Sequence, residues 1–482
     1  MSKVRLLNRV SARGPRSWPL LGHLPFLVFG ILKARGNFAE AVRRMVSEYS
    51  RRTLYLRVGR KPVVISADPE FARRVLVDYA SHFPKTGWEK RVLTPTMDEG
   101  LIILEGAEWK QHRAAVAPCF SASLLEGLGR TVAGATTDRL ASWRGSVAIG
   151  HEIRCITSDV LTRFFLQDYR LSHASHPSLD EYARSFARVE EGLESRVFDP
   201  VGLIDRLRER ARRQPSFSDA LGQITQLIEE QVSRAAAEAP PRKSVLDLML
   251  SRLPERAVSR EIRTMTAAGA TTVHLLTWLC HLLGHHPDIQ QKLRRELVSR
   301  MHDDGDLIST LESCAYLNAV INEGLRLYPP APYLFRQAAP TIAGESDPDL
   351  PAPSSLVLIS VWAMHRHPDF WENPNDFAPE RWLKMRERGI ESVDAFMPFG
   401  IGPRVCIGRR FALIEAMIIL SEIVRRFEIR PTPGRRPQPK LTILTRPDRE
   451  VVIGVDPIWP PPQRLRPAIL DDSPSGSSAA VG

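Results

Sequence analysis

The run Phe399-Gly400-Ile401-Gly402-Pro403-Arg404-Val405-Cys406-Ile407-Gly408 sets one cysteine in a glycine-spaced loop. An apolar helix follows, beginning Arg409-Arg410-Phe411-Ala412-Leu413-Ile414-Glu415-Ala416. A thiolate just ahead of a helix is stabilised by the free backbone N–H groups there and by the helix dipole, so this loop suits a single sulfur held against a metal. Glycines at 402 and 408 let the backbone turn tightly and approach a large flat ligand. Taken alone, Cys406 reads as a buried, unreactive thiol beside an ordinary strand-to-helix turn.

Two further pairs are spaced for one helix face. Glu323 and Arg326 stand three apart in Asn322-Glu323-Gly324-Leu325-Arg326-Leu327-Tyr328-Pro329, and such residues pair, usually as a weak surface contact. Trp109 and Arg113 stand four apart in Trp109-Lys110-Gln111-His112-Arg113, a spacing that also suits a cation stacked on an aromatic ring.

Helices must carry these groups. Periodicity and composition predict helices over 107–118, 123–145, 178–196, 217–237, 259–284, 287–302, 310–327 and 408–427. Leu54 to Val58 and Val63 to Ser66 read as a hairpin across Gly59-Arg60-Lys61-Pro62, followed by a helix capped by Asp68 and running to about Val77. Leu356 to Ser360, Leu441 to Thr445 and Val451 to Val455 read as strands, and Arg234 to Ser244 as a loop.

The chain has 482 residues, 43% hydrophobic and 25% charged, which allows a sizeable soluble core. Its five cysteines, at 119, 155, 280, 314 and 406, are widely spaced and odd in number, which argues against a disulfide framework and for a reducing compartment. The net charge of +11 suits an acidic protein partner better than nucleic acid, because the arginines are spread and no zinc-finger spacing or aromatic-interleaved basic run occurs. Arg5, Arg9, Arg13 and Arg16 precede an apolar stretch from Trp18 to Leu32 that Pro19 and Pro25 interrupt. That stretch is too short and broken for a spanning helix, leaving shallow lipid contact as the alternative. The sequence divides into a basic segment 1–17, a body 18–456, and a Pro- and Ser-rich tail 457–482 read as disordered.

The spacing Phe-x-x-Gly-x-Arg-x-Cys-x-Gly resembles the heme-binding signature of the cytochrome P450 family. The likeness runs from about Pro19 to Val455 with the motifs in the family's order. It implies a mainly α fold with small peripheral β-sheets in one helix-rich, triangular domain. It implies heme b with Cys406 as the iron ligand, Phe399 packed beside the sulfur, Gly408 at the ring, and Arg404, Arg336, Trp109 and Arg113 at the propionates. His112 and His365 are further neighbours. Glu323, Arg326 and Arg381, the last in Phe377-Ala378-Pro379-Glu380-Arg381-Trp382, are expected to form a buried bracing network.

Thr266-Ala267-Ala268-Gly269-Ala270-Thr271-Thr272 resembles the family's oxygen-binding helix, with Ala268 and Gly269 letting the backbone pass close and Thr272 orienting dioxygen and a proton-bearing water. The acidic residue usual before that threonine is absent, and Thr271 stands there. Proton delivery then falls to Thr271, ordered water or the substrate. The resemblance implies a monooxygenase acting on an apolar lipid, terpenoid or secondary metabolite. Peroxide-driven oxygenation, isomerase-like rearrangement and a non-catalytic heme sensor are the alternatives.

No dinucleotide fingerprint or iron–sulfur cysteine cluster is visible, so electrons are expected from a separate ferredoxin or flavodoxin docking at Lys110, Arg409 and Arg410. The protein is expected to be a cytoplasmic monomer. Its substrate pocket is expected to draw on Trp88 to Asp98, 178–200, Ala268 to Thr272, Pro332 to Phe335 and Thr442 to Leu444.

Overall fold

The computed structural model describes residues 15, 18, 21–33, 37–48, 52–166, 178–198, 217–237, 244–301, 306–344, 347, 350–390 and 393–458. The basic segment 1–17, apart from Pro15, and the tail beyond residue 458 lie outside the described residues, as does 238–243 of the expected loop.

Helices α1 (Leu24–Lys33) and α2 (Phe38–Glu48) lead into a hairpin of β1 (Thr53–Val58) and β2 (Lys61–Ser66). Its strands pair from Thr53 with Ser66 to Val58 with Lys61, leaving a two-residue turn shorter than expected. Asp68 accepts the Glu70 N–H at 2.9 Å and so caps α3 (Pro69–Arg73), which runs on into a wider π turn, Arg74–Asp78. Then come α4 (Gly87–Met97), α5 (Gly106–Val116), α6 (Ala122–Leu140), β3 (Gly145–Ala148), α7 (Ile149–Leu166) and α8 (Leu179–Phe198). Helix α7 has no exposed polar stripe in sequence. Ile153, Ile156, Val160 and Phe164 are all buried among other helices, which removes the periodicity that marks a surface helix.

The middle of the chain forms α9 (Phe217–Ala237), α10 (Val245–Leu250), α11 (Glu255–Ala268) and α12 (Ala270–His285). Arg234 to Ala237, expected as loop, are the last turn of α9. The single helix expected over 259–284 is broken at Gly269. After α13 (Pro287–Arg300), the expected helix 310–327 is also two, α14 (Leu307–Ser313) and α15 (Ala315–Leu327), parted at Cys314.

Strands β4 (Tyr333–Gln337) and β5 (Leu356–Ser360) precede α16 (Val361–Met364), α17 (Glu380–Glu387) and α18 (Arg409–Arg426). The chain then forms β6 (Phe427–Pro431), β7 (Pro439–Leu441), β8 (Thr445–Pro447) and β9 (Val452–Pro457). Leu441 to Thr445 is therefore not a strand: it is the turn joining β7 to β8, with Leu441 paired to Thr445.

One four-stranded sheet runs β1-β2-β5-β4, a three-stranded sheet β3-β9-β6, and β7 pairs β8. The larger core is helical, centred on α12, α15 and α18, and a second core packs the four-stranded sheet against α2 and α16. A fully buried Leu276 or Ile418 contributes about 1.5–3 kcal/mol each to the helical core. Tyr328 and Phe396 pack against both cores and join them. The helix-rich body with small sheets at its edge is the fold expected.

Among the described residues no helix is long and apolar enough to cross a membrane. Trp18, Leu21, Val28 and Phe29 form an exposed apolar edge along α1 and the turn before it.

Candidate active site

The cysteine loop is held by its backbone. Cys406 N–H donates to Phe399 C=O at 3.0 Å, and Arg113 Nη2 donates to Val405 C=O at 3.1 Å. Gly402 has φ +76, and a Cβ there would lie 2.1 Å from the Leu76 carbonyl oxygen, so no other residue fits that turn. A Cβ at Gly408 would meet only Phe120 Cε1 at 3.7 Å, which leaves that backbone bare toward the interior.

Cys406 differs from the other cysteines. Cys119, Cys155, Cys280 and Cys314 are buried free thiols whose pKa burial pushes up to about 11 or 12. The Cys406 side chain instead opens into an internal cavity of about 450 Å³. Its enclosed position raises its pKa, opposed by the Gly408 N–H and by the charges of Arg113 and Arg409.

Cations crowd one side of this cavity. Arg404 lies over the Trp109 ring at 4.1 Å and Arg113 over the same ring at 5.6 Å. Arg336 reaches in from β4, buried, with Nη1 on Phe335 C=O at 2.6 Å. Lys85, which the sequence reading passed over, completes the group. Its Nζ bonds Glu89 at 2.9 Å, and Glu105 takes Arg404 at 3.3 Å. Desolvation first, and then the neighbouring cations, lower the pKa of Lys85 and of Arg404. Lys85, Arg336 and Arg404 thus share two carboxylates, Glu89 and Glu105, Arg113 has neither, and Arg404 Nη1 is buried with no partner. An excess of two positive charges with an orphaned donor suits a ligand bearing two carboxylates.

The break between α11 and α12 borders the same cavity as Cys406. Thr272 N–H bonds Gly269 C=O at 3.1 Å, three residues back rather than four. That frees the Ala268 carbonyl, and the Thr271 hydroxyl takes it at 2.8 Å. Thr271 therefore ties off the distorted turn. A Cβ at Gly269 would lie 2.5 Å from Leu161 Cδ1 and 3.3 Å from Thr157 Cγ2, so the glycine is demanded by close packing on α7. Ala268, Gly269, Thr271 and Thr272 all line the cavity, as do Phe399 and Gly408.

The bracing network forms below. Glu323 accepts Arg326 Nε at 2.9 Å, Arg326 Nη2 at 2.8 Å and Arg381 Nε at 3.0 Å. It also accepts the Ala378 N–H at 3.0 Å and Trp382 Nε1 at 2.9 Å, donors that the sequence reading did not include. Arg326 spends its remaining donors on the carbonyls of His365, Pro374 and Asp376.

His365 belongs here and not among the cavity cations. Its Nε2 accepts the Met397 N–H at 3.1 Å, and burial beside Arg366 and Arg326 depresses its pKa to about 3. His112 likewise pairs with Glu261, at 2.6 Å.

The expected pocket segments converge in part. Trp88, Val92, Leu193, Leu334, Phe335 and Leu444 give it apolar walls, with Trp88 and Phe335 rings 5.2 Å apart. Asp98 does not join them, because it is held by Arg260 at 3.1 Å and Arg263 at 3.0 Å. Pro332 is also outside the lining, and residues 199–200 lie outside the described ones. The lining adds Thr157 and Leu161 from α7 and Glu415 from α18. Glu415 was visible in sequence as the one charge in Phe411-Ala412-Leu413-Ile414-Glu415-Ala416-Met417-Ile418-Ile419-Leu420.

The sequence matches the family profile described as Cytochrome P450 across residues 12–453. The chain belongs to the cytochrome P450 family. It is 28% identical over 457 residues to cyclooctatin synthase of Streptomyces melanosporofaciens, covering 91% of this chain and 94% of that protein. It is 27% identical to cyclooctat-9-en-7-ol 5-monooxygenase of the same organism, covering 87% and 90% of the two chains. Cytochrome P450 4A24 of Sus scrofa is 27% identical, with 82% of each chain covered. The P450 family binds heme through a cysteine thiolate. The open sulfur, the bare glycine backbone beside it and the unbalanced cations fit that dianionic ring.

Proposed function

We propose that the chain is a heme-thiolate monooxygenase that places one oxygen atom of O2 into an apolar small molecule. Substrate, O2, two electrons and two protons give the hydroxylated product and water. One observation carries this reading: Cys406, the Lys85, Arg113, Arg336 and Arg404 cations, and the distorted Gly269–Thr272 turn border a single apolar cavity.

Cys406 would hold the iron, and bound heme would supply the redox and oxygen chemistry. Phe399, whose carbonyl accepts the Cys406 N–H, fixes the loop, and the Gly408 N–H would stabilise the thiolate. Arg404 and Arg113, stacked on Trp109, would anchor the ring's carboxylates, with Arg336 and Lys85 completing the cradle. Thr272 orients O2, and the apolar walls exclude bulk water and position the substrate. Electrons come from a separate acidic ferredoxin or flavodoxin.

Two of the relatives carry names built on cyclooctatin, and the substrate name cyclooctat-9-en-7-ol denotes an unsaturated alcohol. Together with the apolar walls, this favours a terpenoid-type alcohol over a charged substrate.

The test is a spin-state screen of the holoprotein with terpenoid alcohols and fatty acids. Turnover of compounds that shift the spectrum follows, under labelled O2 with a ferredoxin, its reductase and NADPH. Product carrying one labelled oxygen is expected. Label from water in the product, or turnover only with peroxide, rules the reading out.

A further inference from the structure

His151 and Cys155 stand four apart on α7 and so share a helix face, and the first turn of α8 sets Asp180 against them. His151 Nε2 lies 2.9 Å from Asp180 Oδ1, and Cys155 Sγ lies 3.6 Å from that nitrogen and 3.9 Å from that oxygen. Among the described residues this is the one group of three such donors drawn so close together. Cys155 is buried, while the side chains of His151 and Asp180 are 26% and 39% exposed, so the group opens to solvent on one side.

The monooxygenase reading uses none of the three, and none borders the cavity at Cys406. A nucleophile–base–acid relay needs both imidazole nitrogens, one for each neighbour. Here both contacts fall on Nε2, so the cluster is not a relay. A proton on Nε2 serves Asp180 alone and leaves the sulfur with two long contacts. A cation at the centre serves all three donors. In a tetrahedral zinc site the metal–sulfur bond is about 2.3 Å and the bonds to nitrogen or oxygen about 2.0–2.1 Å, which sets sulfur about 3.6 Å from the other donors and nitrogen about 3.3 Å from oxygen. The three separations in this cluster each differ from those values by about 0.4 Å or less.

Orientation and charge agree with a cation. Arg139 bonds Glu152 at 2.7 and 2.8 Å and Asp180 at 3.0 and 3.1 Å, which fixes the Asp180 carboxylate as an outer-shell partner fixes a metal ligand. Arg154, the other cation acting on Cys155, is taken up by Glu190. Glu152 and Asp180 against Arg139 leave one negative charge in excess. A dication that displaces the thiol proton brings that balance to zero.

We propose that His151, Cys155 and Asp180 bind a thiophilic divalent cation, zinc by their mixture of sulfur, imidazole and carboxylate, and that the ion ties the start of α8 to α7. The Cys155 S–H bond breaks, its proton leaves to solvent, and the sulfur electron pair forms the bond to the metal. Nε2 gives its lone pair while the imidazole proton sits on Nδ1, and water takes the fourth position. No oxidation state changes. Phe186, Val189 and Leu193 lie farther along α8 and line the cavity, so an ion at Asp180 steadies the helix that forms that wall.

The experiment titrates zinc chloride into holoprotein of the native chain, Cys155→Ser and His151→Gln. Calorimetry gives affinity, X-ray absorption at the zinc edge gives the ligand atoms, and hydrogen exchange read by mass spectrometry follows the first two turns of α8. The half-exposed His151 keeps the test open should Cys155→Ser fold poorly.

The native holoprotein is expected to take one ion per chain, with one sulfur at about 2.3 Å and nitrogen or oxygen at about 2.0–2.1 Å. Exchange at the start of α8 should slow several-fold with zinc and recover with EDTA. Each variant should bind at least roughly 100-fold more weakly, since loss of an orienting partner alone costs about 10–100-fold. The reduced carbon-monoxide spectrum, kept unchanged, would show the heme pocket intact. A native first shell without sulfur, or variants that match the native affinity, overturns the site. Zinc bound through sulfur with exchange at α8 unchanged overturns the tie between the helices.

Discussion

Arg326 lies along Glu323 with Nε to Oε2 at 2.9 Å and Nη2 to Oε1 at 2.8 Å, and neither side chain is exposed. Four donor side-chain and backbone groups besides Arg326 Nε converge on that one carboxylate. Removing it leaves the buried Arg326 guanidinium and the partly buried Arg381 guanidinium without their shared carboxylate. Glu323→Ala is therefore expected to destabilise the holoprotein by about 3–5 kcal/mol, the usual cost of breaking a buried pair from one side. Urea unfolding followed by circular dichroism checks this. Trp382→Phe removes a single neutral donor and is expected to cost about 1 kcal/mol.

Cys406 opens to the cavity while the other cysteines are buried. Cys406→Ser should leave the fold intact, because it changes one atom of a side chain that opens into the cavity. The reduced carbon-monoxide complex is expected to lose its thiolate-type Soret band and take on the spectrum of a weakly held heme. A thiolate-type band surviving in Cys406→Ser would move the ligand to another cysteine.

The cysteine loop, the Glu323 network and the Thr272 turn were legible in sequence because each is a short run of fixed spacing. Glu323 and Arg326 share a helix face by arithmetic, and the loop from Phe399 to Gly408 is continuous. What escaped depends on distant pairing. Lys85 joins Arg336 across separate elements, and Glu415 neighbours Thr157 from the helix that follows the cysteine loop. Helix α7 went unassigned for a related reason: buried all round, it carries no amphipathic stripe to read. The close backbone passage at Ala268 and Gly269 was legible, but not that Thr271 would be spent closing the turn there.

Gly402 approaches the backbone of Leu76 so closely that a methyl group has nowhere to go. Its φ of +76 adds strain for any other residue. Gly402→Ala is expected to displace the cysteine loop, cutting heme retention on gel filtration several-fold. Gly408→Ala meets only ordinary contact with Phe120 within the protein, so any heme loss there reports crowding of the ring itself.

Lys110 at α5 and Arg409 and Arg410 at the start of α18 are exposed, and Arg410 reaches Glu312 only at 3.5 Å. Exposed cations so loosely held remain available to an acidic partner, and their attraction is screened by salt. The rate of first-electron transfer from an acidic ferredoxin should fall steadily as ionic strength rises, measured by stopped-flow absorbance. Lys110→Glu and Arg410→Glu should each slow it at low salt and flatten the salt dependence. A native rate indifferent to salt would place docking elsewhere.

Burial raises the Glu415 carboxyl to about 8 against an ordinary value near 4.5, so the folded protein keeps a proton that the unfolded chain has released. The sign follows from linkage: between those two values the native state binds more protons, and stability from this group declines as pH rises. The decline begins as pH passes the unfolded carboxyl's range and levels off above about 8. Glu415→Gln cannot ionise, so the difference in stability between it and the native holoprotein should grow in the variant's favour from pH 5 to pH 8. Urea midpoints at a series of pH values measure this directly. A constant difference across that range would mean that the Glu415 carboxyl carries the same charge folded and unfolded.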